Sequence, residues 1–150
     1  MKSRRRLLTG SVCGAMLLIL SVSAYGQIYK YFTPGSVWEV SLIKIHSGMD
    51  QAYLQYLDTE LKKESDLAIK NGFMKSYKIL RTQGDDAEWN MLILREYESF
   101  ASLEKNAEKA DEVLRQGTGM DDQKAMQGYM DRSKIRDVVG TKYMRELVLK

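Results

Sequence analysis

Three residue types that usually carry chemistry or lock a backbone are almost missing from this sequence: it has one cysteine, one proline and one histidine. A single cysteine excludes an intrachain disulfide and a thiolate-built metal centre. A single histidine leaves only scattered carboxylates as its partners, so no metal is expected. There is no low-complexity tract and no internal repeat. What is present, 44% hydrophobic and 29% charged residues, is the composition of a globular domain.

The N-terminus has the three parts of an export signal in order. Lys2, Arg4, Arg5 and Arg6 form a positive patch, Leu7 to Val22 is mostly apolar, and small residues follow at cleavage spacing, as Val22-Ser23-Ala24 or Ala24-Tyr25-Gly26. The apolar run is interrupted by Thr9, Gly10, Ser11 and Gly14, and it falls short of the roughly 20 apolar residues that span a bilayer. Residues 1–24 are therefore expected to be a signal peptide, cut after residue 24 or 26. The mature chain would be periplasmic or extracellular, with no membrane attachment after cleavage. The run Ser3-Arg4-Arg5-Arg6-Leu7-Leu8 also resembles the twin-arginine export pattern. Cys13 falls inside the signal, so the mature chain has no cysteine.

Removing the signal changes the charge. The whole chain carries a net +3, but without the four basic residues of 1–24 it has 19 basic residues against 20 acidic, a net of −1. The basicity belongs to the signal, and no electrostatic case for a nucleic-acid partner remains.

After a lead-in over 25–36, which holds Pro34, residues 37–150 read as one domain. Val37 to Ile45 is a strand rich in β-branched and aromatic residues. Ser47 and Asp50 stand at capping-box spacing before a helix to about Lys70, with Tyr53, Leu57, Leu61, Glu64 and Ala68 near one stripe and Asn71-Gly72 as its stop. Met74 to Arg81 and Trp89 to Tyr97 are strands joined by the turn residues Gln83 to Asp86. Ser99 caps a helix carrying Phe100, Leu103, Ala107, Ala110 and Leu114. A shorter helix from Asp121 to Met130 precedes a last strand, Lys142 to Leu149. The order is α+β, a ferredoxin-like βαββαβ pattern with an extra helix before the final strand.

Strand alternation suggests that Trp38, Val40 and Leu42, with Trp89, Met91 and Ile93, face the helices. The opposite face would then carry Glu39, Ser41, Lys78, Asn90 and Glu146 among Ile43, Ile45, Leu92, Leu94 and Val148. Such a face is too apolar to stay in water. A homodimer that pairs the two sheets, with a semi-polar cavity between them, is expected.

Three segments carry a family resemblance: Ile43-Lys-Ile-His-Ser-Gly-Met-Asp50, Leu94-Arg-Glu-Tyr-Glu-Ser-Phe100 and Arg145-Glu-Leu-Val148. Through them the chain resembles the dimeric α/β-barrel superfamily, which includes antibiotic-biosynthesis-type monooxygenases and stress-responsive barrel proteins. The resemblance implies sheets paired into a dimeric barrel that binds a small aromatic or polyketide-like molecule. Members that degrade haem use an Asn, a Trp and a His. Here Ser41 stands at the Asn position and the helix after Ser99 has no histidine, so no haem and no other cofactor is expected.

The candidate ligand-binding set is Glu39, Ser41, Lys78, Asn90 and Glu146, since buried charges must pair or meet a ligand. His46, at the mouth of the first strand, is the candidate acid/base because imidazole titrates near neutral pH. No catalytic residue is assigned. Three readings follow: an exported dimer binding a small organic ligand, a cofactor-independent oxygenase or isomerase, or an interaction module that uses the 118–137 insertion.

Overall fold

A computed structural model describes residues 30–83 and 88–150. The expected export signal, Cys13 and positions 84–86 of the expected turn lie outside the described residues. Two compact units are present. One is Ser36–Glu146. The other contains residues 30–35 and 147–150 among those described, and within it the Lys150 N–H donates to the Tyr31 carbonyl at 3.1 Å.

The elements run β1 (Phe32–Ile45), α1 (Asp50–Tyr56), a π-helical turn (Leu57–Leu61), α2 (Lys62–Lys70), β2 (Ser76–Arg81), β3 (Met91–Tyr97), α3 (Phe100–Thr118), α4 (Asp122–Ser133) and β4 (Arg136–Leu149). The sheet has the order β2-β3-β1-β4, and β1 and β2 both pair antiparallel to β3. The fold is the ferredoxin-like α+β arrangement with α4 inserted before the last strand. The outer strands are longer than their composition suggested. β1 begins at Phe32 rather than Val37 and takes in Pro34, and β4 begins at Arg136 and takes in Gly140. The ladder with β3 covers only residues 37–43 of β1, so Pro34 removes no donor from it.

α1, the π turn and α2 form one continuous helix, with helical backbone at both junctions. Tyr53, Leu57, Leu61 and Ser65 are all buried at a constant spacing of four. In an α-helix such a spacing drifts about 40° at each step. The wider π turn takes back part of that drift and keeps all four on one line. The helix ends as its sequence requires. Gly72 adopts a φ of 73°, and the Gly72 and Phe73 N–H groups return to the Ile69 and Ala68 carbonyls.

The start of this helix differs from the expected capping box. Gly48, with a φ of 78°, makes a tight turn closed by Met49 N–H to the His46 carbonyl. This places Met49 at the cap position with no side-chain bond, and Ser47 is left outside. Asp50 instead meets Arg81 at 2.6 Å. The α3 cap does form as expected, with Ser99 and Ser102 exchanging bonds of 3.1 Å.

The core comprises Ile43, Ile45, Met91 and Ile93 of the sheet against Tyr53, Leu57 and Leu61, with Tyr77 and Ile79 beside them. This reverses the expected faces of β1. Trp38, Val40 and Leu42 lie on the far face with Leu92 and Leu94, and Lys78 sits 5.4 Å from the centre of the Trp38 ring. The faces of β3 are as expected, with Met91 and Ile93 toward the helices. Both sets of β1 contain large apolar residues, so its alternation alone could not choose between them.

Asn90, just before β3, is 3% exposed and clasps β1. Its Oδ1 accepts from the Ile45 N–H at 2.8 Å and its Nδ2 donates to the Ile45 carbonyl at 3.2 Å. Truncation to alanine strands both backbone groups in a buried place. Asn90→Ala is expected to cost about 1–3 kcal/mol, read in urea denaturation as a lower midpoint with an unchanged slope.

Candidate functional site

α3 contributes no fully buried residue, although its apolar stripe is regular. The reason lies across from it. On the helix-facing side of the sheet, Glu39 of β1 stands directly opposite Arg95 of β3, and charged side chains of that length do not accept a close-packed helix. α3 instead approaches α2 closely near its end, where a Cβ on Gly117 would fall 2.2 Å from Leu67 Cδ2. Between that contact and the sheet lies a cavity of about 350 Å³. Ala68 of α2, Phe73, Met74, and Leu103, Ala107 and Leu114 of α3 form its apolar wall. Its polar groups are Glu39, Glu64, Ser65, Arg95, Tyr97 and Asn106.

These groups differ in how far they are already satisfied. Glu39 accepts from Arg95 at 2.6 Å on one oxygen and from the Tyr143 hydroxyl at 3.1 Å on the other. The Glu64 carboxylate makes no hydrogen bond or ion pair among the described residues. Burial holds its carboxyl above the ordinary range, against the pull of Arg132 and Arg95 and with Glu60 adding to the rise. Burial, with Glu39 nearby, pushes the Tyr97 hydroxyl up to about 12, so it is a neutral donor at any ordinary pH. An apolar chamber with a few convergent polar groups is the usual form of a small-molecule site.

The residues expected to form one polar set are spread over three places. Glu39 is on the cavity wall. Ser41 is buried on the same sheet face, with its hydroxyl 3.4 Å from that of Thr141. Asn90 is the strand clasp described above. Lys78 lies on the far face beside Trp38. The Glu146 carboxylate accepts from the Ser36 N–H at 3.4 Å. Ile43 and Ile45, expected on a bare face, are core residues. Glu64, Arg95, Tyr97 and Asn106 were not singled out from the sequence. The available signal was Glu64, a carboxylate interrupting the apolar stripe of its helix.

His46 is outside the cavity. Its Nε2 is 3.0 Å from Asp137 Oδ2 and its Nδ1 is 3.1 Å from the Lys134 carbonyl. Both neighbours accept, so both contacts are hydrogen bonds only when the ring is protonated, and they favour the imidazolium. The hydrogen bond to Asp137, then that to Lys134, raises its pKa above 6.5. Among the described residues no three His, Cys, Asp or Glu side chains stand together as a metal site. No helix among them is long and apolar enough to cross a membrane.

No protein-family model matches the sequence, and no curated protein matches it. Two solved structures are similar to it. One is a "putative monooxygenase" from Shewanella loihica PV-4, 14% identical, with a TM-score of 0.41 over 79% of this chain and 96% of that one. The other is a dimeric ferredoxin-like protein from an uncultured marine organism, 13% identical, with a TM-score of 0.44 over 79% of this chain and 98% of that one.

The His46 contacts give a pH dependence of definite sign. With the folded pKa raised, the stabilisation is complete below about 6.5 and is lost as the pH rises through the folded value. In a proton NMR titration the single histidine is expected to titrate above its unfolded value, and Asp137→Asn is expected to bring it back down.

Proposed function

We propose that this protein is an exported homodimer that binds a small organic molecule in the chamber between α2, α3 and the sheet. The observation that carries the ligand reading is the chamber itself, whose walls are apolar while Glu64 stands in it without a protein partner. A carboxyl held above its ordinary range also suits proton transfer. Cofactor-independent turnover of a bound aromatic or polyketide-like molecule is the second reading. Support for export comes from Lys2 to Arg6 followed by the apolar run Leu7 to Val22.

Support for a dimer comes from where apolar side chains meet solvent. Met126, Tyr129 and Met130 of α4 are 62%, 57% and 53% exposed, and Val138, Tyr143 and Met144 of the edge strand β4 are 44%, 54% and 52% exposed. Apolar surface of this extent on an edge strand and its neighbouring helix is a liability in a monomer. A second copy covering the same surface removes it. The sheet face expected to pair the two copies carries Trp38, Val40 and Leu42 beside Leu92 and Leu94, with Ile43 and Ile45 in the core instead. Pairing through α4 and β4 also gives the 118–137 insertion a role within the dimer.

Two outcomes are expected. N-phenyl-1-naphthylamine, a neutral fluorescent probe, should bind the mature protein saturably at one site per chain. Ala110→Phe, which fills the chamber from α3, should weaken it about tenfold or more. If neither this probe nor any of the smaller ring compounds used below binds the wild type saturably, the ligand reading fails. In sedimentation equilibrium at micromolar concentration the mature chain should have twice its sequence mass. Met126→Lys with Tyr129→Lys should give a folded monomer, whereas a wild-type monomer overturns the dimer.

A further inference from the structure

We propose that the chamber selects a small organic amine, whose ammonium group pairs with Glu64. This deepens the ligand reading above and rests on it.

The charges around Glu64 lead to this choice. Its charged and titratable neighbours are Tyr56 in α1, Glu60 in the π turn, Glu39, Arg95 and Tyr97 on the sheet, Asp111 and Arg115 on α3, and Asp121, Asp122 and Arg132 at and within α4. Each cation in this group has a carboxylate within 4 Å, although the Arg132 Nε is buried with no hydrogen-bond partner among the described residues. Arg95 holds Glu39 at 2.6 Å, and Arg115 holds Asp111 at 2.9 Å and Asp122 at 2.8 Å. Arg132 is 3.6 Å from Glu60 and lies over the Tyr56 ring, and Lys124 is 3.6 Å from Asp121. Glu64 is the carboxylate left over, and it is the one that faces the chamber.

An anionic ligand would meet this charge where every nearby cation already faces a carboxylate. A neutral ligand would leave a half-buried carboxylate desolvated and unpaired, which is costly. A ligand bearing an N–H⁺ answers both conditions through a charge-assisted hydrogen bond.

Access is consistent with the same ligand. Glu64 also lines a neighbouring cleft of about 200 Å³ between α2, α3 and the start of α4, which carries Asp111, Asp121 and Asp122 against Arg115. The carboxylate therefore borders both the chamber and an outer vestibule of acidic balance. Within the chamber the Tyr97 hydroxyl and the Asn106 amide make no side-chain hydrogen bond among the described residues, so they can meet a ring N–H or hydroxyl of the same molecule. A chamber of about 350 Å³ is at the small end of ligand sites, which sets the size at one or two fused rings.

Three compounds that share a ring and differ in charge test this: tryptamine, indole and indole-3-acetate, titrated calorimetrically into the mature protein. Tryptamine should bind at least about tenfold tighter than indole, the size of one charge-assisted hydrogen bond, and indole-3-acetate should bind weakest. Glu64→Gln keeps the shape and removes the charge. It should bring tryptamine to within about twofold of indole, with indole binding at least as tightly as before because no carboxylate is left unpaired. Lowering the pH from about 8 to about 4 should erode the tryptamine advantage as Glu64 gains its proton. If indole and tryptamine bind equally, or indole-3-acetate binds best, the chamber is a ligand site but the amine assignment is overturned. If none of the three binds and N-phenyl-1-naphthylamine also fails, the ligand reading falls and the amine assignment with it. If that probe binds and none of the three does, only the amine assignment falls. A tryptamine preference that survives in Glu64→Gln likewise overturns the assignment of its partner.

Discussion

The chamber depends on one cross-strand pair, Glu39 of β1 against Arg95 of β3. Opposite charges directly across an antiparallel ladder stabilise the pair itself. Their effect on the third dimension is larger, because they occupy the helix-facing side where the next layer of core would be. At the other end of the same face, Ile43, Ile45, Met91 and Ile93 receive Tyr53, Leu57 and Leu61 in close packing. Beyond Ser41 the face turns polar, and α3 spans the gap without closing it. A sheet that is apolar at one end and charged at the other, under a helix layer held together at Gly117 and Leu67, leaves a space of this kind.

The helix pattern was legible in the sequence because most helix ends carry their own start or stop residues. Ser99 and Gly119 bound α3, Asp121 opens α4, and Asn71-Gly72 closes α2. The strand faces were less legible, for a physical reason. β1 has large apolar residues on both sides, and it is sorted only by its partners: Glu39 must share a face with Arg95, and Ile43 with Met91. That information lies in the pairing register rather than in any local window. The capping box failed for a similar reason. Ser47 and Asp50 have the right spacing, but the positive φ of Gly48 turns the chain between them.

Of the chamber, only Glu39 was visible from sequence. Arg95 and Tyr97 fall inside a strand and Asn106 inside a helix, with nothing local to mark them. They converge only after β1, β3, α2 and α3 are assembled. Glu64 is the instructive case, since a carboxylate on a buried stripe is either an error of periodicity or a purpose. The π turn shows that the periodicity is real, because it keeps Tyr53, Leu57, Leu61 and Ser65 aligned past the point where an α-helix would have drifted off.

That turn makes the character of the chamber adjustable from a distance. Everything after Leu61 inherits its angle about the helix axis from five residues whose exposed members, Asp58, Thr59 and Glu60, touch no part of the chamber wall. If the turn relaxed to α-helical winding, the rest of the helix would rotate as a block and carry Glu64 off the wall, with a neighbour taking its place. Substitutions at these surface positions that favour α-helical winding, with the residue count unchanged, would therefore change which side chain faces the chamber while every wall residue is left as it is.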